Sequence, residues 1–345
     1  MSKNIFGNAV SPWTEVKLDH IEKYLSAYSN ILYVSGFREY YFVDGFAGRG
    51  YCIRKSDGKI INGSSLISLL IDPPFTKYFF IELDEEKVEG LRKIVSRDFT
   101  GKNVTIYQGD CNTEIVNVLK SISSSTPFVA LLDPQAGDLK WETVQKISNK
   151  NKAEVIINFP FGVAINRKMS LSDEDSINKS EMNAIFGSAE WEQIYEARQR
   201  GLAPSIAREK YLDLYLGNLV QTGFKYYAVK NVKDTRGRHI YYLIFGTKNL
   251  KGLIKMKDEF VRGEAGRDTL FFKMDLVNLV YQYFQGRKNL SLTTVLDRLL
   301  PGKHLYREQD FKDALVQLEK SNRLIRLNPR PRARSFKTGD LFKIV

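Results

Sequence analysis

Five short runs, Tyr40 to Val43, Tyr78 to Ile81, Val104 to Tyr107, Phe128 to Leu132 and Val155 to Ile157, are apolar at successive rather than alternate positions. A strand of that kind has both faces buried, as in a parallel sheet covered by helices on each side. The segments between the runs, Ser64 to Ile71, Glu85 to Ser96, Thr113 to Ile122 and Trp141 to Ile147, read as crossover helices. Repeated strand and helix units predict a doubly wound α/β sheet. Ahead of the first run, Leu18, Ile21, Leu25, Tyr28 and Leu32 recur at spacings of three and four, which predicts an amphipathic helix packing on the strand and helix units after it. Behind the last run comes a polar, helix-prone insertion at about 166–221. After it, Phe224 to Val232 and His239 to Phe245, joined by Asp234-Thr235-Arg236-Gly237, read as an antiparallel hairpin. Residues 1–265 are therefore expected to form one domain.

Residues 266–345 change character. Leu270 to Phe284, Leu292 to Leu300 and Glu308 to Leu318 have helical patterns, and Arg323 to Leu327 and Asp340 to Ile344 are short strands around a basic loop. Three helices and a two-stranded ribbon predict a winged-helix-like domain, with Glu308 to Leu318 as its candidate recognition helix. The formal net charge of +12 concentrates here, because residues 287–345 hold 14 Lys or Arg against 6 Asp or Glu. A nucleic acid, DNA or RNA, is the expected partner, with Arg330, Arg332, Arg334 and Lys337 in the wing placed to meet phosphates. The competing reading is a solvated basic face or a protein-docking module.

With 43% hydrophobic residues, the 345-residue chain can bury a sizeable core. No run approaches the roughly 20 apolar residues of a membrane span, and the first residues lack a signal-peptide core, so a cytoplasmic location is expected. Two cysteines and three histidines, all scattered, point away from a metal site.

The first run leads into Asp44-Gly45-Phe46-Ala47-Gly48-Arg49-Gly50, a glycine-containing turn at the carboxyl edge of the sheet. Such turns also occur in dinucleotide-binding folds. The carboxylate inside this one suits a ligand with a cationic amino-acid end better than a pyrophosphate, which it would repel. The second run ends in Glu82-Leu83, whose carboxylate can accept ribose hydroxyls. Glu82 lies further from Asp44 than in a compact dinucleotide site, which fits an excursion at Tyr51 to Asn62. The third run ends in Asp110-Cys111, where Asp110 can accept an adenine amino group or simply cap a helix. Carboxylates at three successive strand ends make S-adenosylmethionine the expected cofactor.

The fourth run ends in Asp133-Pro134 and the fifth in Asn158-Phe159-Pro160-Phe161. An Asp or Asn followed by proline and aromatics can accept hydrogen bonds from a target amine, aim its lone pair at the methyl group and stack a ring on a base. Here those parts are divided between two strands. Asp133, also a wall of the cofactor site, or Asn158 would orient the amine; Phe159 and Phe161 would stack on the base or belong to the core.

Taken together, Ser11-Pro12-Trp13-Thr14, Lys17-Leu18, Tyr24-Leu25, Tyr41 to Gly50, Gly63-Ser64, Ile81-Glu82, Asp133-Pro134, Ile157 to Pro160 and Tyr241 to Phe245 resemble the three-Cys-motif partner protein family, a group of bacterial methyltransferase-like proteins. The resemblance spans most of the chain. It implies a class I methyltransferase fold, S-adenosylmethionine binding and a neighbouring protein partner carrying the three-cysteine motif. Gln135-Ala136 depart from the aromatic-glycine continuation expected after Asp-Pro. The resulting expectation is a methyltransferase acting on a nucleic acid at a base nitrogen. The alternatives are a catalytically idle, cofactor-binding partner subunit that recruits a protein or nucleic acid, and a methyltransferase acting on small molecules or proteins.

Overall fold

The computed structural model describes residues 9–134, 138–159, 161, 178–234, 236–261, 270–304, 306–329 and 335–345. The chain divides into two compact units, Met1–Lys248 and Asn249–Val345. The helix Leu250–Val261 thus belongs to the second unit, and the division falls ahead of the expected change at 265.

The first unit is built on a seven-stranded sheet. Its strands in chain order are β2 (Tyr41–Asp44), β5 (Lys77–Glu82), β6 (Val104–Gln108), β7 (Phe128–Leu132), β8 (Ala153–Phe159), β9 (Tyr226–Lys233) and β10 (His239–Thr247). They lie in the order β6-β5-β2-β7-β8-β10-β9, and β10 runs antiparallel to both its neighbours. This is the Rossmann-like α/β sheet that the apolar runs predict, with four of the five runs wholly inside a strand and the first, Tyr40 to Val43, starting one residue ahead of β2. The chain winds outward from β2 through β5 to β6, then crosses back to β7, so the switch point of the sheet lies between β2 and β7. A ligand crevice opens at such a point, beyond the carboxyl ends of the strands.

The connecting helices are α1 (Pro12–Val34), α2 (Ser64–Leu70), α3 (Glu85–Asp98), α4 (Cys111–Lys120) and α5 (Trp141–Ser148). Between 178 and 221 the insertion forms three helices, Lys179–Phe186, Trp191–Gln199 and Pro204–Gln221. The excursion after β2 forms β3 (Tyr51–Arg54) and β4 (Ile60–Asn62), which pair antiparallel, while β1 (Ala9–Val10) pairs parallel with β3.

Side chains of a strand alternate between faces. Tyr41 and Val43, Phe79 and Ile81, Phe128, Ala130 and Leu132, and Val155, Ile157 and Phe159 all join one buried cluster with α4, α5 and the insertion helices. The alternate residues face α1 and α2. There Tyr24 meets the Phe245 ring edge-on at 5.0 Å and donates its hydroxyl to the buried Glu154, which also accepts from Thr247 Oγ1 at 2.7 Å. Burial raises the Glu154 carboxyl to about 7 against the two hydrogen bonds that lower it.

In the second unit, helices Leu270–Phe284 and Glu308–Lys320 pack on one another, and Leu292–Leu299 lies against the latter. A small antiparallel sheet, β11 (Leu290–Ser291), β13 (Leu341–Ile344) and β12 (Leu324–Arg326), completes it, with Phe342 and Ile344 buried. Arg326 ties the ribbon to the helix. Its guanidinium meets both Glu319 oxygens at 2.7 and 3.0 Å, reaches Asp340 at 3.0 Å and stacks 3.7 Å from the Phe336 ring centre. Arg326→Ala removes the guanidinium that pairs with Asp340, itself 2% exposed, and with Glu319. The expected cost is about 3–5 kcal/mol, read from a denaturant titration of the full chain.

Candidate functional site

Alternation along the strands decides which side chains meet at the crevice. Asp44, Glu82 and Asn158 follow Val43, Ile81 and Ile157 by one residue and so alternate away from that cluster, and Asp133, just beyond β7, meets Lys17 of α1. Glu82, Asp133 and Asn158 line a crevice with two lobes that share Phe46, Gly48, Asp84 and Lys87 in their walls, and Asp44 lies buried at the end of β2.

The larger lobe, of about 830 Å³, is walled by Phe46, Glu82, Leu83, Asp110, Cys111 and Asn112 among others. Glu82 is almost buried and holds the turn in place. Its Oε2 accepts the Gly48 N–H at 2.8 Å and its Oε1 the Asp84 N–H at 3.0 Å. Leu83 projects, 70% exposed, at the rim. Asp110 is the N-cap of α4, its Oδ1 accepting the Asn112 N–H at 2.9 Å and the Asn112 amide at 2.8 Å, so the capping role is realised. Asn112 in turn bonds Asp138 O, Lys140 N and Thr143 Oγ1, which fixes the start of α5 beside the lobe. Burial pushes the Cys111 thiol up, so it stays protonated and acts as packing.

Gly45 also serves packing. A Cβ there would lie 2.7 Å from Cys111 Sγ and 2.9 Å from Leu132 Cδ2, so this glycine lets α4 approach β2 and β7. Gly48 differs: its φ is +65° and a Cβ would meet nothing within 4 Å, so the turn floor there is open to the crevice.

The smaller lobe, of about 610 Å³, is walled by Lys17, Ala47, Gly48, Gly50, Ser64, Asp133, Pro134, Asn158 and Tyr241 among others. Asp44 does not line the lobe: it lies fully buried at the end of β2, accepting the Phe46 N–H at 3.1 Å. Burial raises its carboxyl to about 7; the Ser64 hydroxyl and the Phe46 N–H lower it, and Asp133 and Glu82 raise it further.

Asp133 and Asn158, divided in the sequence, are joined by the pairing of β7 with β8: Asn158 Nδ2 donates to Asp133 Oδ1 at 2.6 Å. The other Asp133 oxygen forms an ion pair with the Lys17 ammonium. Asn158 Oδ1 is buried and has no hydrogen-bond partner among the described residues. Lys17 was not among the expected site residues, yet a signal exists. Positions 17, 21, 24, 25 and 28 form one helical stripe, and Lys17 is the charged member of a stripe that is otherwise Ile21, Tyr24, Leu25 and Tyr28.

The structure corrects the stacking role offered for Phe159 and Phe161. Both are buried, 2% and 4% exposed; Phe159 packs 4.5 Å from the Tyr215 ring and Phe161 5.2 Å from Tyr211. The reason is the strand period: with Asn158 on the crevice side, Phe159 must enter the opposite core. In the second unit Lys337 is exposed, its N–H bonded to Asp340 at 2.9 Å. Arg330, Arg332, Arg334 and the Gln135-Ala136 departure lie outside the described residues.

No protein-family model matches the chain, and no curated protein is similar to it in sequence. Among solved structures it is similar to a Legionella pneumophila protein, at 9% identity over 67% of this chain and 84% of that one, with a TM-score of 0.41. An rRNA methylase of Streptococcus thermophilus is similar at 10% identity over 68% and 94% of the two chains, TM-score 0.33. Magnesium protoporphyrin IX methyltransferase of Synechocystis PCC 6803, solved with bound SAM, is similar at 10% identity over 71% and 88%, TM-score 0.33. The α/β assignment of this chain stands on its own strand order.

Gly45→Ala is expected to lower stability by about 1–3 kcal/mol through overpacking. Adding Cys111→Ala, which removes the clashing sulfur, should recover part of that loss in urea unfolding, and a purely additive double variant would show that Gly45 does not serve this contact.

Proposed function

We propose that the chain is a class I S-adenosylmethionine-dependent methyltransferase that modifies a nucleic acid at a base nitrogen. The observation that carries this reading is the convergence of Glu82, Asp133 and Asn158 from three strand ends on a two-lobed crevice at the switch point of the sheet, with Asp44 buried at the end of the strand between them. The larger lobe suits the nucleoside half of the cofactor. A carboxylate offers about four acceptor positions, so Glu82, which accepts two backbone N–H groups and has the Lys87 ammonium 3.7 Å from Oε1, keeps capacity on Oε2 for a ribose hydroxyl. Phe46, Leu83 and Cys111 offer apolar surface to the base, and Asp110 an acceptor for its amino group. Asp44 suits the ammonium of the amino-acid end, and the open turn at Gly48 admits the chain between the two halves. When bound, the cofactor supplies an electrophilic methyl group on a sulfonium.

Asp133 then orients the acceptor. It accepts an N–H of the target amine, which turns the nitrogen lone pair toward the methyl group and contributes through positioning. The Asn158 and Lys17 contacts fix the carboxylate for that role. The segments behind the resemblance to three-Cys-motif partner proteins support the same site, because Trp13, Lys17, Ser64, Asp133, Asn158 and Tyr241 all wall the smaller lobe. The basic residues of 287–345 and the helix and ribbon arrangement of the second unit support a winged-helix-like grip on a polyanion. A base in a duplex would be flipped into the lobe.

Asp44 gives a pH signature. In the free protein it holds its proton below about 7, and the cofactor's ammonium pairs only with the ionised form. Cofactor affinity should therefore fall about tenfold per pH unit below that value and level off above it. Asp44→Ala should weaken binding roughly 10- to 100-fold and flatten the profile, both read by titration calorimetry. A flat wild-type profile between about pH 5.5 and 8 would remove Asp44 from this role. Incubation with labelled cofactor and total cellular RNA or DNA, followed by digestion, should give a single N-methylated nucleoside; label in neither would overturn the assignment.

A further inference from the structure

We infer that Lys17 is a specificity-determining residue that restricts the acceptor position at Asp133 to uncharged, weakly basic amines, such as the amino group of a heteroaromatic ring, and turns away alkylammonium groups there. The inference rests on the reading of Asp133 as the group that receives the target amine.

A carboxylate standing alone at the end of a half-enclosed lobe attracts cations of every kind. Asp133 is not alone. Lys17, reaching from α1 across 116 positions of sequence, pairs with one oxygen, and Asn158 Nδ2 donates to the other at 2.6 Å. The Lys17 side chain is 8% exposed and that of Asp133 25%, so the ammonium is held inside the wall while the carboxylate still faces the lobe. Each carboxylate oxygen keeps acceptor capacity for a neutral N–H, but the charge that would draw in a cation is already matched.

The rest of the lobe adds no net pull. Its charged wall residues among those described are Lys17, Arg49 and Lys87 against Asp84, Glu86 and Asp133, three of each sign. Arg49 and Glu86 pair with each other at 3.4 Å. Behind Lys17 stands the Tyr241 ring, its centre 5.8 Å from Nζ, with the Tyr241 hydroxyl donated to Trp13 O at 3.0 Å. An alkylammonium at Asp133 would bring a second positive charge close to Lys17 with no carboxylate left to balance it. It would also have to lose a proton before its lone pair could react, since alkylamines of the lysine type titrate at about 10.4. An amine attached to a heteroaromatic ring is uncharged at neutral pH and meets neither obstacle.

The test uses two probes of one ring size and different charge, aniline and cyclohexylammonium, whose affinities for the full chain are measured by saturation-transfer NMR at pH 7.5 with S-adenosylhomocysteine in excess, so that Asp44 is already paired. The wild-type protein should prefer aniline by about tenfold or more. Lys17→Met, which leaves the lobe one negative charge in excess, should lower that ratio at least about tenfold, and Lys17→Arg should keep it. Should Lys17→Met fail to fold, Asp133→Asn gives the opposite sign: the freed Lys17 charge should raise the preference for aniline. A ratio unchanged by either variant, a wild-type protein that takes the cation as readily as aniline, or one that binds neither overturns the inference. Cofactor affinity is measured separately on the same samples. Loss of the methyltransferase reading would appear as absent cofactor binding whatever the probe ratio.

Discussion

Everything at the crevice depends on the two-residue period of parallel strands buried on both sides. In β2, β5, β7 and β8, one set of positions fills the core beneath α4, α5 and the insertion helices. The strand ends therefore have a single face left on which polar groups can stand, and Asp44, Glu82, Asp133 and Asn158 occupy it. A slip of one residue in any of these strands would send a carboxylate or an amide into the aromatic core formed by Phe159, Phe161, Phe186, Tyr211 and Tyr215. Register and site are thus one constraint, because a one-residue slip would exchange the polar strand ends for core side chains.

The helix α1 joins stability to the site. Through Tyr24 it meets the buried pair Glu154 and Thr247 in the middle of the sheet, and through Lys17 it meets Asp133 at the edge. Both contacts set a polar group of the helix against a carboxylate on β8 or just beyond β7, on the face the apolar cluster leaves free. A buried carboxylate such as Glu154 resists ionisation, as its shift to about 7 records, whereas Asp133 sits beside a full positive charge. One helix therefore supplies a neutral hydroxyl where the sheet is dry and an ammonium where it opens to solvent. The larger lobe depends less on α1: of its polar groups, Glu82 bonds backbone N–H groups of its own turn and of the turn after β2, and Asp110 one of its own turn.

Much of this was legible in the chain because it is local. Each apolar run became a strand, the four segments between them became helices within a few residues of their expected bounds, and the three helices and ribbon of residues 270–344 lie where their patterns predict them. Carboxylates at the ends of the first three runs could be ranked as a site because strand ends of a doubly wound sheet converge. The meaning of Asp133 and Asn158 was not legible in that way. As linear motifs they look like two halves of one acceptor site placed on different strands, and only the pairing of β7 with β8 makes them neighbours.

By itself the sequence determined the α/β class, the order of strands and helices, the acidic strand ends and the excess positive charge of the last 59 residues. These follow from periodicity and residue type, which act over one or two turns of chain. Tertiary structure alone decided that Gly45 makes room for Cys111, that Phe159 belongs to the core and that Lys17 neutralises Asp133. Those outcomes depend on distances between segments up to 116 positions apart, and the requirement that buried charge be matched operates across those distances.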